Sequence, residues 1–482
     1  MVFSSLTFIG VFLPLTLVLY FAVQARLRNA LLLMASLLFY AWGETFFTFV
    51  MLASIGLNYV LGLVIWRFRG RMLSHVALAI AVVGNLGLLA AFKYANFLVD
   101  NLNALLAFIN ISPFELEPVH LPIGISFFTF QALSYVIDVY RQDGEVQLNP
   151  LHLALYISLF PQLIAGPIVR YQHIADQLKH RIINAERFAH GIRRFLIGLG
   201  KKVLLANTFA YAADDIFGLN PDFLSPGLAW VGILSYAFQI YFDFSGYSDM
   251  AIGLGHMFGF EFLENFQWPY IAQSIQEFWR RWHISLSTWF RDYLYIPLGG
   301  SRRGSFRTHT NLVIVFLLCG LWHGASWTFV LWGMYHGIFL VAERTRFGRW
   351  ISGSPRPLRH VYCLMTVLVG WVFFRAETLQ QALAFLGAMV GHSGPEAWPE
   401  LVHKYLNGEL LLATVIGIVG STPLVRNIGS RMAERLVTDS QASPVARLAF
   451  SGTELLAYGT IMGLCFVSLA AGTHNPFIYF RF

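Results

Sequence analysis

A stretch of 35 residues, from Thr308 to Ala342, contains no Asp, Glu, Lys or Arg. A transmembrane α-helix needs about 20 predominantly apolar residues, so this stretch is long enough to hold two membrane segments. A histidine, His323, nevertheless lies near its middle. Ionisable side chains within membrane segments are costly and usually serve a function. The stretch therefore predicts a membrane-embedded region with a candidate functional imidazole.

The apolar character extends over the whole chain. Of its 482 residues, 56% are hydrophobic and 12% are charged, whereas soluble proteins carry about 25% charged residues. The apolar runs favour helices over a transmembrane barrel, whose strands alternate over about 10 residues. We predict an all-α polytopic membrane protein with roughly 10–12 spans. No separate soluble domain is visible, so residues 1–482 are predicted to form one membrane-embedded domain.

The charges predict an orientation. Met1–Gln24 carries no charged side chain and is followed by Arg26, which predicts an uncleaved first span with its N-terminus outside. The net charge of +7 is typical of basic cytoplasmic loops. The connections 170–202 and 261–307 are rich in Arg and Lys, and we expect both on the cytoplasmic side.

The run 149–169 is interrupted by Pro161, Gly166 and Pro167. Irregular backbone at membrane depth is tolerated only when it is buried in protein or lines a cavity. We therefore predict a re-entrant segment beside an interior pathway.

The connection 261–307 contains a predicted helix. It begins at a capping box, Ser274 to Glu277, and ends before Pro297. One predicted face is aromatic and includes a histidine; its members are Trp279, Trp282, His283, Leu286, Phe290 and Tyr293. An interfacial amphipathic helix has the same pattern. His283 is the polar group on this face and needs a partner, so a structural and a catalytic role both stay open.

Two histidines of the apolar stretch share a motif. His323 and, 13 residues later, His336 each lie within a GxxxG and follow an aromatic residue. Small residues four apart allow helices to approach closely. A continuous helix would point the two imidazoles apart by about 220°, whereas a break near Gly324–Trp327 would allow them to converge. Helix packing is the alternative role for both.

Several chemistries lack their sequence signals. The 15 histidines include no HxxxH or HxxH pair, and there is no GxSxG motif, so neither a metal site nor a serine hydrolase is predicted. The cysteines are expected to be buried thiols: Cys319, Cys363 and Cys465. General-base catalysis by a neutral imidazole remains.

Two carboxylates close another apolar run. Asp243 and Asp249 follow Tyr241 and flank a glycine. They could orient a histidine or line a polar vestibule, or mark the point where a helix leaves the bilayer.

Several motifs resemble the membrane-bound O-acyltransferase family, and in particular its bacterial branch for exopolysaccharide O-acetylation. The strongest are QEFWRRWHISLSTWFRDYLYIPLGG and GLWHGASWTFVLWGMYHG. LPIGISFFTFQALSYVIDVYR, YFDFSGYSDMAIGLG and the closing PFIYFRF are also similar. The similarity runs nearly end to end, and its core motifs cover residues 119–342.

The resemblance implies a ring of helices around a central tunnel, with funnels from both membrane faces. It implies that His323 is catalytic, that His283 is the second family histidine and that His336 is a further one. Asp243, Asp249, Tyr241 and Trp322 become candidates for additional catalytic or tunnel-lining residues.

The implied reaction takes an acyl group, expected to be acetyl, from a cytoplasmic thioester to an acceptor hydroxyl. The donor would be acetyl-CoA or an acyl carrier protein, with no bound cofactor. A periplasmic acetyltransferase partner would modify an alginate- or cellulose-type polysaccharide at the bacterial inner membrane. Four arginines are candidates for attracting the anionic donor or, equally, for contacting lipid phosphate: Arg280, Arg281, Arg302 and Arg303.

Other functions fit the same sequence. One is D-alanyl or peptidoglycan acyl transfer by the same mechanism. Others are an acyl conduit and a scaffold for periplasmic acetyltransferases, neither of which needs an imidazole base.

Overall fold

The computed structural model describes residues 1–392, 394, 401–438, 444–472 and 474–476. Regular structure within these ranges is entirely helical, which confirms the predicted fold class. The first helices are α1 (Leu13–Ala22), α2 (Arg28–Ala41), α3 (Phe47–Arg67), α4 (Met72–Lys93), α5 (Ala95–Phe108), α6 (Ile125–Arg141), α7 (Pro150–Ser158) and α8 (Phe160–Leu163). The central ones are α9 (Tyr171–Lys179), α10 (Ala185–Gly200), α11 (Asn207–Phe217), α12 (Pro226–Met257), α13 (Ile275–Arg281), α14 (Ile284–Phe290), α15 (Gly304–His323) and α16 (Trp327–Ala342). The last are α17 (Arg346–Gly353), α18 (Arg356–Arg375), α19 (Leu379–Met389), α20 (Val402–Tyr405), α21 (Gly408–Gly420), α22 (Leu424–Thr438) and α23 (Pro444–Ala470).

Five of the described helices are long and apolar enough to cross a membrane: α3, α4, α15, α18 and most of α23. A bent pair, α21 with the first part of α22, would make a sixth span. These numbers support a multi-pass membrane protein but fall short of the 10–12 spans expected. The difference arises because several apolar runs form shorter helices, such as α16 and α19.

The apolar stretch 308–342 is divided as predicted. Helix α15 ends at His323, and α16 begins at Trp327 after an extended Gly324. The two helices pack closely through glycines: a Cβ atom added to Gly320 would lie 3.1 Å from the Cα of Gly333. The glycine face therefore joins two segments, and the break places His323 at a helix end.

The run 149–169 is also interrupted. Helix α7 ends at Ser158, and Leu159 separates it from the short helix α8. Residues 153–165 are buried apart from the half-buried Ala154. Irregular backbone here is therefore enclosed by protein, as a membrane-embedded break requires.

The prediction of one continuous helix after Ser274 is wrong. The Ser274 hydroxyl accepts from the backbone N–H of Glu277 at 3.0 Å, as the capping box predicts. However, α13 ends at Arg281, and α14 starts only at Ile284. His283 lies in between with a left-handed backbone, φ 42°. The aromatic face is nonetheless buried as expected.

One end of the helices, which we call the arginine-rich face, is defined by residues 67–71, 291–307 and 343–359. There the Arg141 guanidinium donates to the Asp292 carbonyl at 3.1 Å, and Arg170 pairs with the Asp292 carboxylate. The other end, which we call the opposite face, carries residues 94–120 and 324–326. Helices α4 and α15 both run from the arginine-rich face to the opposite face.

Candidate functional site

His283 and His323 meet in the interior of the protein. Their ring centroids are 6.5 Å apart. His283 is fully buried, and His323 is 5% exposed. The first comes from the break between α13 and α14, and the second from the last residue of α15. The fold thus brings together two of the three candidate histidines of the sequence analysis.

His323 stands among aromatic rings at the edge of a cavity. Its ring centroid is 4.9 Å from that of Trp322 and 5.1 Å from those of Trp332 and Phe374. The imidazole forms no hydrogen bond with the described residues. It lines a cavity at the opposite-face end of α15, together with Lys93, residues 121–127, Ile164 and Trp322. A small molecule in this cavity would therefore be within reach of an unengaged imidazole.

His283 is held rigidly through one ring nitrogen. Its Nδ1 lies 3.1 Å from Oδ1 of Asn265. This amide oxygen only accepts, so Nδ1 carries the proton and Nε2 has a free lone pair. Nε2 is buried and has no hydrogen-bond partner among the described residues. The ring of Phe244 packs against the imidazole edge-on at 4.6 Å.

Asn265 is a site residue that the sequence did not predict. Its Oδ1 also accepts from the backbone N–H and the hydroxyl of Ser285, at 3.2 and 2.9 Å. Its Nδ2 donates to the hydroxyl of Ser248 on α12 at 3.0 Å. Asn265 thus fixes both the tautomer and the orientation of His283, and it lies in a loop without a recognisable motif.

Trp322 lines the same cavity as His323. Its ring stacks on that of Phe130 at 5.3 Å, and Nζ of Lys93 lies 5.8 Å from its centroid. Lys93 is the last residue of α4 and was not predicted as a site residue. A lysine after a long apolar run also occurs as an ordinary anchor at a helix end.

His336 does not join the pair. The predicted helix break is present, but Trp332 stands between the two imidazoles, with its ring 5.1 Å from each. His336 also packs against Trp279 at 5.0 Å. Its two ring nitrogens are buried without hydrogen-bond partners among the described residues. It is thus embedded between aromatic rings and is not among the residues that line the cavity of His323.

The two carboxylates of α12 form ion pairs with residues 194–202. Asp243 is 2.6 Å from Nζ of Lys202, and both side chains are almost fully buried. Asp249 pairs with Arg194 and Lys201 at 2.6 and 2.7 Å.

Tyr241 lies on the same helix, behind the aromatic face. Its ring packs against Tyr270 at 5.3 Å and against Trp282 at 6.3 Å. It therefore supports the backbone that leads into His283 and does not touch either imidazole of the pair.

The four candidate arginines do not touch the histidine pair. Arg281 is half-buried and pairs with Glu277 at 2.8 Å. The other three are exposed: Arg280, Arg302 and Arg303. Arg302 and Arg303 belong to the arginine-rich face, where a soluble anionic donor or lipid phosphate has access to them.

We next consider the cysteines and possible metal ligands of the described residues. All three cysteines are free and buried, as predicted. Within the described ranges, no group of three or more His, Cys, Asp or Glu side chains is arranged to hold a metal ion.

Comparisons with known proteins agree with the motifs. The model of the membrane-bound O-acyltransferase family matches residues 141–384, which include both histidines of the pair. A probable alginate O-acetylase of Azotobacter vinelandii is 44% identical over the full length of both chains. A second, from Pseudomonas putida, is 43% identical over the full length of both.

A relative with a different name is nearly as similar. The peptidoglycan O-acetyltransferase of Helicobacter pylori is 40% identical over 82% of this chain and 80% of its own. The matched region and the full-length similarity lead to one conclusion: this chain belongs to the membrane-bound O-acyltransferase family and is an O-acyltransferase.

Proposed function

We propose that this protein transfers an acetyl group from a thioester to a hydroxyl acceptor for the O-acetylation of an exopolysaccharide, with His323 as the general base. The observation that carries the proposal is the position of His323, which lines a cavity and has its ring centroid 6.5 Å from that of the buried His283. An unengaged imidazole at a cavity has the geometry of a general base, which must lie within hydrogen-bond reach of the proton it removes.

The reaction conserves protons. As the hydroxyl oxygen attacks the thioester carbon, its proton passes to His323. When the tetrahedral intermediate collapses, the C–S bond breaks and the thiolate takes the proton from the imidazolium. His283 has a fixed free lone pair near His323 and serves to orient the acceptor hydroxyl or the second imidazole.

The two faces of the protein suit different substrates. The donor, acetyl-CoA or an acyl carrier protein, arrives at the arginine-rich face, where Arg302 and Arg303 attract its negative charge. By the positive-inside tendency this face is cytoplasmic and the membrane is the bacterial inner membrane. The acceptor arrives from the opposite face, on a periplasmic acetyltransferase partner.

The names of the relatives support the polymer class. Two full-length relatives are probable alginate O-acetylases, which favours an alginate-type acceptor. The 40% identity to a peptidoglycan O-acetyltransferase supports peptidoglycan as the second candidate.

The test uses the full chain in nanodiscs with [¹⁴C]acetyl-CoA and, in parallel, acetylated acyl carrier protein. Alginate and peptidoglycan are offered as final acceptors, each with the periplasmic fraction that contains the partner. We expect donor consumption and label in one polymer. A protein that consumes neither donor in any combination is not the proposed acetyltransferase, and transfer that survives loss of His323 would indicate a conduit.

We predict that Asn265→Leu lowers the transfer rate by about 10²-fold, because misplacing a catalytic group by about 1 Å costs that much. Leucine has the same number of side-chain heavy atoms and the same branching as asparagine but cannot accept a hydrogen bond from His283 Nδ1. The rate is measured at saturating donor on variants that melt like the wild type. Ser248→Ala is the control, since it removes only the partner of Nδ2, and a rate for Asn265→Leu equal to that of this control would contradict the prediction.

A further inference from the structure

The end of α15 that carries His323 is capped by another helix. The last carbonyls of an α-helix lack partners within the helix. Here Gly320 O accepts from the N–H of Gly324 at 3.2 Å, and Leu321 O accepts from the Tyr94 hydroxyl at 2.5 Å. Nζ of Lys93 donates to the carbonyls of Trp322 and His323 at 2.5 and 3.0 Å.

In its protonated form, Lys93 carries a positive charge at this place. The residue is 8% exposed, and no carboxylate of the described residues pairs with it. A buried charge is costly unless it is paired, and the helix C-terminus offers only partial negative charge. Within the described residues, the protonated form of Lys93 therefore meets only partial negative charge, and an anion formed in the cavity would stabilise it.

One proton of this ammonium is weakly held. An ammonium has three N–H donors, and two of them engage the carbonyls of α15. The third faces the hydroxyl of Ser126, at the long distance of 3.4 Å. Lys93 and Ser126 line the same cavity as His323. A ligand oxygen in this cavity would therefore displace a weak contact while gaining a charge-assisted hydrogen bond.

We propose that Lys93 is a catalytic residue that binds the carbonyl oxygen of the acyl group and stabilises the oxyanion formed during transfer. This rests on the proposed function. When the acceptor oxygen bonds to the acyl carbon, the π electrons of the carbonyl move to its oxygen, and the third N–H of Lys93 donates to that anion. The electrons return when the C–S bond breaks, and the ammonium keeps its proton throughout.

The test compares Lys93→Met with the wild type in nanodiscs at saturating donor. Methionine has a similar length but no charge. Removing one oxyanion-stabilising group costs about 10²–10³-fold in kcat, and we expect a loss of that size. The rates are then repeated with fluoroacetyl-CoA. Fluorine withdraws electrons and stabilises the oxyanion by itself, so the deficit of the variant should shrink.

A purely structural role of Lys93 gives a different result: the loss is the same for both acyl groups, which would overturn the proposal. A Lys93→Met rate within about threefold of the wild type would also overturn it, given the expected 10²-fold effect. If Lys93→Met does not fold, Lys93→Gln keeps N–H donors for the carbonyls without the charge and undergoes the same two measurements.

Two further variants separate the possible failures. Tyr94→Phe removes a neighbouring bond to α15 without changing charge, and we expect its rate to fall less than that of Lys93→Met and equally for both donors. His323→Ala is measured in parallel. If His323→Ala loses activity and Lys93→Met keeps it, only the role of Lys93 is rejected. If His323→Ala keeps activity, the proposed function itself is rejected.

Discussion

Replacing His323 by alanine is expected to reduce acetyl transfer by about 10²–10⁴-fold, the range that general acid–base catalysis contributes. The imidazole is not engaged by the described residues and lines the cavity, so its loss removes the acceptor of the hydroxyl proton without breaking a network. The measurement is the single-turnover transfer rate in nanodiscs. Thermal unfolding of the same sample shows whether the helices remain packed.

The matched control is His336→Ala. This residue is also a buried histidine after an aromatic residue in a GxxxG motif, but Trp332 separates it from His323. We expect a lower unfolding temperature, since a cavity replaces the ring, and a transfer rate within about tenfold of the wild type per folded molecule. Equal loss of rate in both variants would contradict the assignment of His323 as the base.

Gly320→Ala is expected to lower the free energy of unfolding by about 3 kcal/mol, the upper part of the usual range for overpacking. A Cβ at this position would collide with the carbonyl oxygen of Phe329 and lie 3.2 Å from N of Gly333. Both are backbone atoms, so rotamer changes cannot relieve the clash, and α15 must separate from α16. Unfolding in mixed micelles with increasing denaturing detergent measures the change.

Gly337→Ala is the matched control on the same helix pair. Its Cβ would approach Val313 Cα and Phe316 Cβ at 3.3 and 3.4 Å, a contact that a small shift relieves. We expect a cost below about 1 kcal/mol, typical of a tolerated small change. If both alanines cost the same, close glycine packing at Gly320 is not what holds the two segments together.

The sequence was sufficient for the features that depend on local pattern. The charge-free stretch and its glycines predicted two helices with a break near His323. The length of an apolar run and the spacing of glycines can both be read from neighbouring residues, without knowledge of tertiary contacts. The aromatic face around His283 predicted burial correctly. Its continuity was wrong because nothing in the residues around His283 signals a left-handed backbone at a histidine, a conformation stabilised here by the loop of Asn265.

The supporting residues depend on tertiary contacts and could not be predicted. Asn265 reaches His283 across 18 positions, and Lys93 reaches the His323 carbonyl across 230. No periodicity links such positions. The separation of His336 from the pair depends on the side-chain direction of Trp332, which helix spacing alone does not determine.

The hydrogen bonds that Lys93 donates to the end of α15 set a limit on how short an active fragment can be. The region that matches the family model, 141–384, contains both histidines but not Lys93 or the 121–126 wall of the cavity. A fragment cut at these limits would leave the carbonyls of Trp322 and His323 without donors. Chimaeras between relatives should therefore be joined before residue 72, so that α4 and α15 come from the same parent and the catalytic helix keeps the partner with which it folds.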